Sequence, residues 1–256
     1  MQFTADELSA LLNKQGPLSL VEADLSKAKL YKANLAGADL TRANLEEARL
    51  SGANLSKADL SGANLSLAVL DHTDLSEAVL VGANLYACMN GVNLCKADLR
   101  EANLSKAYMN DADLTMADLS GAYLIETFLI RANLSGAVLR NASLHMAHLN
   151  GTNFSAADLG EADLSDTSAS GANFSGTNLN HAVLNKSSLD IAILSKANLK
   201  GAILVGVLLA GADLTGADLT GADLTGANLV SAKYDKETKW PVGFDPGVAG
   251  ANLIGK

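Results

Sequence analysis

Two histidines three residues apart, His145 and His148, are the spacing in this chain that most resembles metal or acid–base chemistry. Such an H-x-x-H pair binds a metal only if both rings share a face and further Cys, His or carboxylate donors complete the shell. Here His145 follows Leu144 and His148 precedes Leu149, and no Cys or acidic cluster joins them, so both are expected on the surface without a metal. Cys88 and Cys95 are seven residues apart on what read as successive outward positions, which suits free thiols rather than a bridge. No Gly-rich phosphate loop, nucleophile elbow or Walker pattern occurs. Asp is abundant but returns at one fixed place in a short repeat, a structural use rather than a paired acid and base. The reading assigns no catalytic, cofactor-binding or metal-ligating residue, and the expectation is a protein that is not an enzyme.

The elements that position these residues follow from the repeat. From Leu20 an apolar residue, usually Leu, returns every five positions to Leu85; the series then breaks once and runs from Met89 to Tyr234. That is fourteen units before the break and thirty after it, most with Ala two places before the apolar residue. The consensus is A-(D/N)-L-(S/T)-x, as in Ala33-Asn34-Leu35-Ala36-Gly37 and Ala212-Asp213-Leu214-Thr215-Gly216. A period of five would smear Leu around an α-helix, whose turn is 3.6 residues. Within a unit the pattern alternates apolar and polar like a strand. The fifth residue, often Gly or charged, breaks the alternation and marks a bend. A sheet that bends the same way after every short side becomes a coil whose successive turns pair in parallel, with Ala and Leu inside and Asp/Asn and Ser/Thr outside.

This pattern over residues 18–236 resembles the pentapeptide-repeat family. The resemblance implies an all-β fold, a right-handed quadrilateral parallel β-helix (a solenoid) with four units per coil. About eleven coils at a strand spacing of about 4.8 Å would make a rod roughly 50 Å long. Each buried Leu contributes roughly 1.5–3 kcal/mol before entropy, shared between stacked coils. Open coil ends need covers. Residues 1–17 read as an N-terminal capping helix: Thr4 and Glu7 form a capping box, Leu8, Leu11 and Leu12 one apolar stripe over residues 5–15, and Gly16-Pro17 a stop. Residues 237–256 read as a C-terminal cap, where Trp240-Pro241 and Gly243-Phe244-Asp245-Pro246 resemble the tails of cyanobacterial members.

Composition narrows the function. The chain has 28 acidic and 19 basic residues, a net charge of −9, which disfavours direct nucleic-acid binding because few cations are available to displace counterions. No run of about 18 apolar residues suggests a membrane insertion, and no signal peptide is visible, so a cytoplasmic protein is expected. One residue is missing between Leu85 and Met89, which removes a corner residue while keeping the inward register. Phe154 and Phe174 replace Leu on one wall and Ala169 leaves a gap on the next, so the rings are expected to fill the space that Ala169 vacates.

With four units per coil, residues about 20 apart form columns. One column, Asp39, Asp59, Val79, Asp98, Asp118, Val138, Asp158, Asn178, Asn198 and Asp218, reads as an acidic stripe interrupted by Arg42, Arg100, Arg140 and Lys200. Another contains Lys29, Arg49, Val69, Cys88, Tyr108, Phe128, His148 and Ser168, and places three rings one above another outside the rod. Tyr123, Ile125 and Ile130 lie on neighbouring outward positions. Tyr108, Tyr123, Ile125, Phe128, Ile130 and His148 are therefore the candidate partner-binding residues, since grouped exposed apolar side chains mark contact surfaces. A second outward group comprises Val183, Ile193, Ile203, Val205 and Leu208. The expected function is a non-enzymatic interaction or scaffold protein that binds a protein partner or a second copy of itself. The resemblance adds a regulatory role in cyanobacteria, and as an alternative a DNA mimic that inhibits or protects a type II topoisomerase.

Overall fold

A computed structural model describes residues 18–255, and the expected N-terminal capping helix over residues 1–17 lies outside them. The backbone coils with four sides per turn. Side 1 pairs Ser19 with Asp39 and Asp39 with Asp59; side 2 pairs Asp24 with Asn44; side 3 pairs Lys29 with Arg49; side 4 pairs Asn34 with Asn54. All these bridges are parallel, and each links residues one coil apart, 20 positions along the chain in regular coils. The alternation within each unit dictates this. Ala and the central Leu point inward and are almost all fully buried, as at Ala43, Leu45, Ala48 and Leu50, while the Asp or Asn between them faces out.

The consensus is explained by where each N–H goes. In the unit running from Asp59 to Ala63, the Asp59 N–H donates to Ala38 in the coil before at 2.9 Å, and the Leu60 N–H to Val79 in the coil after at 2.7 Å. Ser61, the first corner residue, donates its N–H at 2.9 Å and its hydroxyl at 2.6 Å to the Asp59 carboxylate. The second corner residue, Gly62, donates to Val81 of the next coil, and Ala63 donates back across the corner to Leu60, both at 2.9 Å. Five donors thus find five acceptors, as a backbone without exposed ladders requires. The second corner residue has positive φ, which with the Leu-to-Ala bond is the type II turn pattern. Gly serves at many corners, yet Glu47, Lys57 and Lys106 adopt φ of 56–60° in the same place.

Inside the tube, Phe154 and Phe174 are fully buried and stack with centroids 5.0 Å apart, 7° from parallel. At several Ala positions a hydroxyl stands inside instead. Thr73, Thr127, Thr152, Thr177 and Ser187 each donate to the carbonyl of a core residue one coil back, Leu50, Leu104, Leu129, Phe154 and Leu164, at 2.7–2.9 Å. These bonds remove the desolvation cost of a buried hydroxyl.

The coil path reaches into the C-terminal tail. Lys239 bridges Asp218 on side 1, and β1 (Lys233–Tyr234) pairs in parallel with β2 (Asn252–Leu253) on side 4. Trp240 meets Tyr234 edge-on at 5.5 Å and stacks on Phe244 at 5.3 Å, and all three pack against the last part of the core.

Candidate functional site

Side 3 carries five consecutive coils whose outward residue is Val, Cys or a ring rather than Asp, Asn or Ser, through the bridges Val69–Cys88, Cys88–Tyr108, Tyr108–Phe128 and Phe128–His148. Parallel in-register pairing stacks like on like. The Tyr108 and Phe128 rings lie 4.8 Å apart and 6° from parallel, and the Phe128 and His148 rings 4.4 Å and 12°. Tyr108 is 46% exposed while Phe128 and His148 are half-buried between their neighbours. The ladder therefore shows solvent a row of ring edges.

The flanks complete the patch. Tyr123 stands on side 2 between Asn103 and Ser143 and is 53% exposed. Ile125 is the half-buried first residue of the corner between sides 2 and 3, and Ile130 that of the corner between sides 3 and 4. The structure thus assembles Tyr108, Phe128 and His148 as one ladder, with Tyr123 and Ile125 on one flank and Ile130 on the other. Two charged pairs border it: Lys106 and Glu126 at 3.7 Å, and Arg131 and Asp111 at 2.7 Å. The second outward group does not form one face. Val183 and Ile203 pair on side 2, Leu208 lies on side 3 and Ile193 on side 4.

The residues with chemical potential are differently engaged. His145 places Nδ1 2.9 Å from the Ser165 hydroxyl and 3.9 Å from the Asp166 carboxylate, while His148 stacks in the ladder. Among the described residues no group of three His, Cys, Asp or Glu side chains is placed to hold a metal ion. Cys88 and Cys95 are free thiols. Partial burial pushes the Cys88 thiol up, and the Asp71 carboxylate adds to it.

On side 1 the carboxylate column exists, and three of its six carboxylates are ion-paired. Arg100 donates two bonds to Asp98 at 2.8 and 2.6 Å, and Arg140 donates to Asp158 at 2.6 Å. Lys200 and Lys239 both approach Asp218, at 3.4 and 3.1 Å. The Arg100 guanidinium holds the Asp98 carboxyl below its usual range against partial desolvation. Asp39 is held low by the hydroxyl and N–H of Thr41.

A family model described as pentapeptide repeats, in eight copies, matches residues 19–56, 48–85, 86–115, 117–155, 157–190 and 192–229. The chain belongs to the pentapeptide-repeat family. Among solved structures it is similar to HetL, a pentapeptide-repeat protein involved in heterocyst differentiation regulation from the cyanobacterium Nostoc sp.. The identity is 35%, over 90% of this chain and 96% of HetL, with a TM-score of 0.52. It is also similar to Rfr23, a pentapeptide-repeat protein of the cyanobacterium Cyanothece, at 34% identity over 44% of this chain and 63% of that one, with a TM-score of 0.28. The fluoroquinolone resistance protein QnrB1 aligns at 19% identity over 93% of this chain and 90% of its own, with a TM-score of 0.30. A comparison with curated protein sequences returned no match. Membership makes the four-sided coil of this pentapeptide-repeat protein a right-handed β-helix.

Two residues of the patch escaped the sequence reading. Leu67 and Met146, 52% and 48% exposed, occupy the second corner position between sides 2 and 3. In this pentapeptide-repeat protein that position reads as a bend, yet its side chain projects beside the ladder. The available signal is that most members of this corner column are charged or Gly, and these two are not. Among the described residues, no helix is long and apolar enough to cross a membrane.

Proposed function

We propose that this pentapeptide-repeat protein is a non-enzymatic binding rod that presents the Tyr108–Phe128–His148 ladder to a protein partner in a regulatory assembly. The observation that carries this reading is the five-coil run of Val, Cys and ring residues on side 3, on a surface where Asp, Asn and Ser fill most outward positions. A preformed β-helix loses little conformational freedom on binding, and exposed rings supply contact area at low side-chain entropy. The likeness to HetL supports the regulatory part.

The test is affinity capture on the wild-type protein and on Phe128→Asp/Tyr108→Ser, from lysate of the organism that encodes it, with captured proteins identified by mass spectrometry. Both residues face outward, so the variant is expected to keep its fold by circular dichroism, with a melting midpoint lowered only by the loss of the stacked rings, while losing a specific partner. Equal recovery by both proteins would count against the ladder. A homodimer through this face would show as a concentration-dependent sedimentation coefficient lost in the variant.

Mimicry of DNA toward a type II topoisomerase is the second reading, and the side 1 carboxylate column favours it. The ion pairs at Asp98, Asp158 and Asp218 weaken it, because a DNA-binding cleft needs uncompensated negative charge. A gyrase supercoiling assay separates the readings: the binding rod leaves supercoiling unchanged at tens of micromolar.

A further inference from the structure

The shortened corner lies inside the aromatic patch, and its missing residue leaves backbone groups without partners. In a complete corner, the second residue donates its N–H to the next coil and the following Ala donates back across the turn, as Lys106 does to Ile125 and Ala107 to Leu104. Between Leu85 and Cys88 there are only Tyr86 and Ala87. The Ser105 carbonyl, in the next coil, consequently receives no backbone N–H, and the turn bond from Ala87 to Leu85 is absent. Ser105 is partly exposed, and its carbonyl is the one that the missing corner residue would have met. The wall is opened as well. Ala87 is 5% exposed, whereas Ala68 and Ala107, the corresponding residues of the coils on either side, are 0%. Around this gap stand Leu67, Tyr86, Cys88 and Tyr108, all exposed.

We infer that the shortened corner is the anchor point for an extended, uncharged peptide segment of the partner, which runs from the corner along the ladder. The inference rests on the protein-binding reading above and specifies its occupant. Three observations select a peptide. First, the open Ser105 carbonyl is a hydrogen-bond acceptor of the kind a peptide N–H satisfies, and an unpaired backbone group beside an apolar surface favours such a donor. Second, the patch is small. Five coils of about 4.8 Å and one side of about three residues give roughly 20 Å by 10 Å. That is a few hundred Å², against about 800 Å² per partner in a standard stable interface between folded proteins. An extended segment at about 3.3 Å per residue covers the same length with roughly six residues. Third, the bordering charges are already matched, Lys106 to Glu126 and Arg131 to Asp111, so a charged segment gains nothing that water does not provide.

The test uses the full chain and a displayed library of random peptides about a dozen residues long. Selected peptides are expected to be rich in apolar and aromatic residues at the ladder and free of charge there. Inserting one Gly between Tyr86 and Ala87 rebuilds the regular Leu-x-Gly-Ala corner seen at Leu119-Ser120-Gly121-Ala122. This variant is expected to melt at or above the wild-type temperature, because it restores the missing donors, and to bind the selected peptides at least tenfold more weakly. N-methylation of the peptide amide that meets Ser105 should have a similar effect. If the insertion variant does not fold, Leu67→Asp at the rim provides the same readout. Unchanged peptide affinity in the insertion variant, with binding lost in Phe128→Asp, would overturn the anchor and leave the ladder reading intact. Affinity unchanged in both variants would overturn both. A library that yields no binder also overturns the peptide inference, while the capture experiment then decides the wider reading.

Discussion

Exchanging two irregular volumes inside the tube asks whether they compensate each other. Phe154 and Phe174 each carry three more side-chain carbons than Leu, and Ala169 on the adjoining wall carries three fewer. All three are fully buried. At about 0.8 kcal/mol per buried carbon, Phe174→Leu removes about 2.4 kcal/mol of burial. Loss of the stacked ring pair adds about 0.5–1.5 kcal/mol, so this variant is expected to lose about 3 kcal/mol. Ala169→Leu alone forces three carbons into a closed tube and costs about 1–3 kcal/mol. The double variant has the wild-type carbon count and Leu at both substituted positions, with Phe154 unchanged, and is expected within about 1 kcal/mol of wild type. The implied coupling is several kcal/mol, well outside the roughly 0.3–0.5 kcal/mol within which independent sites add. Urea unfolding followed by far-ultraviolet circular dichroism measures it, compared at unchanged m. Additive losses in the double variant would refute compensation and leave two unrelated irregularities.

Acid should destabilise the rod. Asp39 and Asp223 are held below the usual carboxylate range by the hydroxyls and N–H groups of Thr41 and Thr225. The unfolded chain therefore takes up these protons first, near the ordinary Asp value of about 3.9. Their stabilising effect is complete above that pH and is lost as the pH falls through the lower folded values. The urea midpoint is expected to be flat from neutral pH to about pH 5 and to drop below about pH 4, less steeply in Thr225→Val; a midpoint that holds to pH 2 refutes the coupling. At Gly91, φ is 61° and an added Cβ would lie 2.6 Å from His72 Nδ1. Gly91→Ala is expected to lower the melting temperature, and His72→Ala/Gly91→Ala to recover part of the loss, since Glu47 and Lys57 tolerate the same φ. No recovery would mean that the backbone alone sets the cost.

The five-residue period made the columns legible, because in-register parallel pairing turns sequence spacing directly into height. Tyr108, Phe128 and His148 stack for that reason, and so do Phe154 and Phe174. What the period could not give was the corner. A bend is a backbone statement, silent on where Leu67 and Met146 project, and both stand exposed beside the ladder. Nor could it show that the carboxylates of Asp98, Asp158 and Asp218 are paired, since Arg100, Arg140 and the two lysines Lys200 and Lys239 reach them by side-chain rotamers the repeat does not encode. The buried hydroxyls of Thr127 and its relatives look like polar faults at Ala positions until the carbonyl one coil back is located.

Identical rungs create a problem of address. If coil n paired with coil n + 2 and looped one coil out, nearly every Leu would still meet a Leu and every Ala an Ala, so the core cannot report the mistake. The exceptions can. Lys27 faces Glu47, Lys57 faces Glu77 and Lys106 faces Glu126 along the corners. Phe154 has one matching ring, and the shortened corner admits only one spacing of its neighbours. A slip of one coil breaks several of these at once while sparing the Leu rows. Irregularities that cost packing locally thus serve as serial numbers for the coils, separating the native stack from its near-copies. A fully consensus version of this rod, more regular at every position, would therefore be expected to lose the uniqueness of its register before it lost its stability.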